Sequence, residues 1–262
     1  MLASFCALAT NAHAANWQST LTKDPPGNFP ELRALRATYV CGWSGISAAT
    51  LEAHFAKPAR DRFQLEGTGR TIGFVRALWK LDATYRSLAD AILLRPIESH
   101  QVENYRAKKV TTHLTFTGNG VRRLRSDNQQ NPPSSAKPKE FDFPNLFDLL
   151  SAMLYLRSQP LRNGDVYRVV VYPATSAYLA TASVVGREKV SVRPGSYNAI
   201  KFDLRLNRIG KNMDLQPHKK FRHATIWVSD DTDRILLRAE AQIFVGAVFA
   251  ELRSIHFDGA RP

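Results

Sequence analysis

Three carboxylates crowd one short stretch, Asp230-Asp231-Thr232-Asp233, between two runs of strand character. Three acids in a tight loop suit either oxygen ligation of Ca²⁺ or the backbone hydrogen bonding that reverses a chain. A calcium loop needs more ligands and usually a fixed Gly; neither accompanies these residues, so the turn is the better reading. Asp203 and Glu240 stand on strand-like segments and, with Asp230 and Asp231, are the acids that an envelope-glycan or ester hydrolase could use. Such an enzyme needs two carboxyl groups about 5–9.5 Å apart across a cleft, and nothing in this spacing selects a pair.

Other chemistry is thinly represented. Histidines at 13, 54, 100, 113, 218, 223 and 256 show no metal-ligand spacing on a shared helix, so no metal is expected. Glycine-rich phosphate loops, dinucleotide fingerprints and a nucleophile-elbow Ser are absent, so no cofactor is expected either. The side chains best suited to hold a ligand are Tyr155, Arg157 and Trp227, with Asp230 and Asp231. For Arg157 and Trp227 structural roles take precedence: a guanidinium at a helix C-terminus can cap its last carbonyls, and a Trp in a strand is core material.

Basic residues gather at Arg106-Lys108-Lys109, at Arg122, Arg123 and Arg125, and at Lys219, Lys220 and Arg222, flanked by His218 and His223. The formal charge is +13, from 36 basic and 23 acidic residues, with a pI of about 10.0. Such a balance implies an anionic partner or surface. Which anion depends on the compartment. Leu2 to Thr10 form a short apolar run and Ala12-His13-Ala14 places small residues where a signal peptidase reads, so cleavage after Ala14 is expected. No Lys or Arg precedes the run and the run is short, which implies a start codon upstream of Met1. Export makes nucleic acid a poor partner and leaves lipid headgroups, lipopolysaccharide phosphates and acidic glycans. Beyond residue 14 no segment approaches the ~20 apolar residues that cross a bilayer. Cys41 would be the single cysteine left after cleavage; with no His or basic pair beside it, it reads as a buried structural thiol.

These residues must be positioned mainly by strands. Residues 235, 237, 239, 241 and 243 are apolar while 234, 238, 240 and 242 are polar or charged, the period-two signature of a half-buried strand. With Ile226 to Ser229 it makes a hairpin about the acidic turn. Further strands are expected over 37–43, 51–55, 63–67, 110–116, 121–125, 165–172, 178–185, 189–192, 197–206 and 247–254, with another beginning at Pro96. Gly118-Asn119-Gly120 marks a tight hairpin, and 71–81 reads as a short helix or a bent strand. Residues 127–140 hold three prolines and no large apolar group, which suits a long surface loop within one domain spanning 15–262. One helix stands out, Asn145 to Arg157, with Asp142 and Pro144 as start signals and Pro160 as its stop. Leu146, Leu149, Leu150, Met153 and Leu154 form its apolar stripe, and much of the rest is apolar too, so it needs cover on most sides.

The run Asp148-Leu149-Leu150-Ser151-Ala152-Met153-Leu154-Tyr155-Leu156-Arg157 is followed by Leu161, Gly164, Gly195-Ser196-Tyr197, Ile226 to Asp231 and Gly246 to Leu252. With Tyr39, Trp43 and Leu94-Arg95-Pro96, this order resembles the bacterial secreted family known as domain of unknown function 3108. Ala48-Ala49 departs from it where a Gly is often seen. The resemblance implies a periplasmic protein, mainly β within a β-rich α+β class. Its large curved antiparallel sheet would form a half-barrel similar to lipoprotein carriers, with one apolar helix in or over the concave face. It implies no activity. The function expected is non-catalytic binding of an amphiphile or an anionic envelope component; the alternatives are the hydrolase and a scaffold that pairs through a sheet edge.

Overall fold

The computed structural model describes residues 16–128, 138–218, 221–243 and 246–258. The segment read as a signal peptide and most of the Pro-rich loop, residues 129–137, lie outside them.

The chain runs as two antiparallel meanders. The first comprises β1 (Leu35–Trp43), β2 (Ile46–Ala59), β3 (Arg62–Thr71), β4 (Leu81–Asp90), β5 (Pro96–Tyr105), β6 (Lys109–Thr117), β7 (Gly120–Asp127) and β8 (Lys139–Asp142). The second comprises β9 (Val166–Val171), β10 (Tyr178–Val192), β11 (Gly195–Ile209), β12 (Leu215–Pro217), β13 (Phe221–Ser229), β14 (Leu236–Ile243) and β15 (Ala247–Phe257). Pairing of β1 with β15 joins them into one sheet, in which β8 and β9 are the margins and β12 is an appendage of β11. Between the meanders lies helix α2 (Leu149–Ser158), and a one-turn helix, α1 (Gly73–Leu78), links β3 to β4. The mainly β class and the curved antiparallel sheet with a helix against its concave face are therefore as expected.

Alternation along the strands fixes which residues face α2. Ala37, Tyr39, Phe55, Phe63, Ala89 and Leu237 all point inward, and with Leu150 and Leu154 of α2 they form the main core. The curvature carries the sheet until its margins overlap. Leu114, Phe116 and Val121 on the inner face of β6 and β7 pack against Val170 and Tyr172. Those two side chains lie on the outer face of the β9 margin, because Val171 between them faces Phe147 and Tyr155 on the α2 side. The sheet thus closes as a scroll. Two backbone hydrogen bonds pin the seam, Phe147 N–H to the Val170 carbonyl at 2.9 Å and Tyr172 N–H to the Phe147 carbonyl at 2.8 Å.

This seam corrects the expected helix start. Asn145 has φ +59° and Phe147 forms a parallel bridge with Val171, so neither is free to be helical. The helix begins after Asp148, whose carboxylate accepts from Ser151 N at 2.8 Å while Ser151 Oγ answers Asp148 N at 2.9 Å. That reciprocal pair is the capping-box arrangement, with Ser in the place of the usual acid or amide. The hairpin at 118–120 is present, with Thr117 opposite Gly120. Its turn carbonyls accept from Phe143 N and Asn145 N, and neither Gly118 nor Asn119 has positive φ, so it is not the primed turn that the Asn-Gly pair suggests. Residues 71–81 contain α1, flanked by the ends of β3 and β4. Strands β4 and β8 were not anticipated, and the two segments 178–185 and 189–192 are one strand with a register shift at Gly186.

Candidate functional site

The seam creates a cleft of about 690 Å³ between the β8–α2 connection, the β9 margin and the N-terminal segment. Phe143, Phe147, Val169, Val170, Leu21 and Met213 supply its apolar wall. Three cations, Lys23, Arg95 and Arg168, reach it against one carboxylate, Asp142. Arg95 stacks over the Phe147 ring at 4.3 Å and donates to the Asn145 carbonyl at 2.9 Å. Burial pulls its pKa below the usual guanidinium value, as expected for a cation held without a counterion. Arg168 is fixed by its backbone: its N–H donates to Thr22 Oγ1 at 2.8 Å and its carbonyl accepts from Thr22 N at 2.9 Å. None of the three cations forms an ion pair with another described residue.

The residues expected to touch a ligand lie elsewhere. Tyr155 and Arg157 are buried beneath residues 24–33, which cross α2 as an irregular strap containing Pro25, Pro26 and Pro30. Tyr155 Oη donates to the Asp24 carbonyl at 2.9 Å. Arg157 does not cap its own helix, as had been expected. It donates to the carbonyls of Asp233 at 2.9 Å, Thr232 at 2.7 Å and Pro30. The capping falls to Arg234, which donates to the carbonyls of Arg157 at 2.6 Å and Gln159 at 2.5 Å. Burial, reinforced for Arg157 by neighbouring Arg234, brings both guanidinium pKa values down to about 10. Phe29 lies against both cations, 3.3 Å from the Arg234 guanidinium carbon and 5.3 Å from that of Arg157.

The acidic cluster is committed within the fold. One Asp231 oxygen accepts from Ser229 Oγ at 2.7 Å, Asp233 N at 2.9 Å and Arg234 N at 3.0 Å, which is turn chemistry. Asp233 takes a two-pronged bond from Arg33 at 2.9 and 2.7 Å, and Asp230 takes one from Arg187 at 2.8 Å. Asp203 and Glu240 lie on the outer face, in one row across Thr225, and pair with Arg205 and Arg238. The four acids thus converge on no cleft and offer no two-carboxylate site. Trp227 is buried, donating to Glu188 at 2.6 Å beside Lys201 and Arg238.

Among the basic residues, Arg122 and Arg125 are exposed, whereas Arg123 bridges the seam to Tyr172 Oη at 3.3 Å and the Thr175 carbonyl at 2.5 Å. Lys219 and Lys220 lie outside the described residues, and of Arg222 only the backbone, on β13, is placed. Cys41 is half-buried, not fully buried, and desolvation pushes its thiol pKa up. It sits on the inner wall in a row with Ala49, Ala250 and Ala239, small side chains that are all partly exposed. Sequence reading missed Arg168 and Lys23 because nothing local marks them; Arg95 was visible only within the Leu94-Arg95-Pro96 motif. Along the β9 margin, Thr22 and Phe147 occupy backbone positions of the edge. Among the described residues no group of three or more acids, His or Cys could hold a metal, and no helix is long and apolar enough to cross a membrane.

A family model described as "Protein of unknown function (DUF3108)" matches residues 36–253. No curated protein matches the chain. Among solved structures, a β-barrel-like protein of the domain of unknown function DUF1849 from Brucella abortus is similar over 88% of this chain and 100% of its own, with TM-score 0.58 and 11% identity. A protein with a YmcC-like fold from Bacteroides fragilis aligns over 88% and 99% with TM-score 0.34 and 10% identity. The first shares the barrel-like fold.

Proposed function

We propose that this chain, which belongs to the DUF3108 family of proteins of unknown function, is an exported, periplasmic protein that holds an anionic amphiphile without transforming it. The observation that carries this reading is the seam cleft, where three cations without an ion-pair partner among the described residues stand against an apolar wall. A phosphate or carboxylate head would supply a counterion to Arg95, Arg168 and Lys23, and an alkyl chain would cover Phe143, Phe147 and Val169. The sequence supports export through Ala12-His13-Ala14, and the net charge of +13 favours an anionic ligand. The scattered acids favour binding over hydrolysis.

Native mass spectrometry of the full chain with lysophosphatidylglycerol or with neutral lysophosphatidylcholine tests it. The anionic lipid is expected to bind one to one and the neutral one far more weakly. Arg95→Ala with Arg168→Ala is expected to weaken binding at least about tenfold, since each removes a charge-assisted bond. Equal binding of both lipids, or no change in the double variant, would sink the proposal.

A further inference from the structure

From the end of the scroll remote from the strap we infer a second, independent interaction: the β-turn rim there docks on an anionic bilayer surface. Four connections meet at this end, β1–β2, β3–β4, β5–β6 and β14–β15. They expose a run of large apolar side chains. Phe74 is 77% exposed, Leu78 69%, Ile46 59%, Trp79 53% and Trp43 44%. Helix α1 buries none of its six residues, so its Phe74 and Leu78 contribute nothing to the core. A soluble fold gains nothing by displaying a helix in this way.

The groups are contiguous. Trp43 lies opposite Ile46 on one side and Val248 on the other. Ile72 N donates to the Ala48 carbonyl at 2.9 Å, tying the α1 excursion to β2. Arg106 donates to the Ala77 carbonyl at 2.6 Å, and the Trp79 and Tyr105 rings stand 6.3 Å apart, which ties α1 to the β5–β6 turn. The two exposed indoles among the described residues are therefore on one arc, whereas Trp17 is half-buried and stacks on Phe143, and Trp227 is buried.

Charge decides what this arc fits. Arg70, Lys80, Arg106 and Lys109 are exposed around it and form no ion pair with a described residue. Of the neighbouring acids, Asp82 is paired with Arg76 at 2.8 and 3.0 Å and Asp127 with Lys108 at 2.5 Å, while Glu103 accepts from Tyr105 Oη at 3.1 Å. Aromatic and aliphatic groups interleaved with surplus cations match the headgroup layer of an anionic membrane, where indoles settle and each nearby Lys or Arg adds attraction. A protein partner with an acidic rim is the competing occupant.

Sedimentation of the full chain with phosphatidylcholine vesicles, with and without phosphatidylglycerol, tests the inference. The chain is expected to pellet with the anionic vesicles and to stay largely in solution with the neutral ones. Brominated acyl chains should quench its fluorescence, and Trp43→Phe with Trp79→Phe should abolish that quenching. Phe74→Ser with Trp79→Ser, or Lys80→Ala with Arg106→Ala, should each lower partitioning by about tenfold or more. All six substitutions are at exposed sites, and the wild-type experiment alone decides the main point. Failure to pellet with anionic vesicles would overturn the inference and leave the acidic protein partner. Pelleting that survives the rim substitutions would overturn it too, by placing the contact on another face. Arg95→Ala should leave partitioning unchanged, which separates this surface from the seam cleft.

Discussion

Asp148 is wholly buried, yet its two carboxylate oxygens meet four donors: Ser151 N, Ser151 Oγ at 2.7 Å, Tyr85 Oη at 3.1 Å and Ser87 Oγ. It therefore caps α2 and docks the helix on β4 at once. Asp148→Ala would remove the cap and strand buried hydroxyls, and should destabilise the fold by about 3 kcal/mol. A urea midpoint equal to wild type would refute that role. Cys41 gives a pH-dependent counterpart. Because burial raises its pKa, the thiolate that reacts is scarcer at pH 8 than in free cysteine, and alkylation by iodoacetamide should be slower than that of free cysteine. Its rate should also begin to climb at higher pH than that of the free thiol; a matching profile would mean that the inner wall is fully wet. At this scale the sequence was legible where chemistry is local. The turn role of Asp231 depends on residues two and three positions away, and it could be read. Asp148 was visible only as part of a family motif, because its other partners, Tyr85 and Ser87, come from a strand more than sixty residues distant.

Among the elements, the strap has the clearest physical logic. Its prolines deny it regular pairing, so it is held by side chains at the C-terminal end of α2: Gln159 Nε2, just past the helix, donates to the Pro25 carbonyl at 3.1 Å and Ser158 Oγ accepts from Gly27 N at 3.0 Å. Gly27 comes so close that a Cβ there would stand 2.2 Å from the Ser158 carbonyl oxygen. Gly27→Ala must lift the strap, with an expected loss of about 1–3 kcal/mol and new proteolytic cleavage between residues 24 and 33. An unchanged melting curve together with intact resistance to protease would contradict this. The all-round apolar character of α2 did announce that it needs cover, which the sheet supplies on one side and the strap on another. Leu149 and Met153 remain exposed, so the cover is incomplete. The helix was placed four residues too early because Leu146 continues the stripe while actually belonging to the seam core. Strand periodicity located most of the sheet; β4 escaped because its inner face alternates Ala83, Tyr85, Ser87 and Ala89, small or polar groups that give no hydrophobic signal.

For the whole molecule, sheet curvature could be anticipated, but overlap of its margins could not, since no local pattern records which face of β9 meets β6. The cleft and the cationic set within it arise from that overlap, which is why they were hidden. The exposed rim was hidden for the opposite reason: Phe74, Leu78 and Trp79 look like core until the fold leaves them outside. The scroll also has a bearing on how such proteins can vary. A closed barrel is a ring of hydrogen bonds in which strand number, tilt and stagger must agree, so a single strand cannot be gained or lost without breaking the circle. Here the circumference is completed by side chains and two backbone bonds at Phe147. Adding or trimming a strand at either margin would only change how far one edge slides beneath the other, and with it the width of the cleft. Such an architecture can be resized one strand at a time.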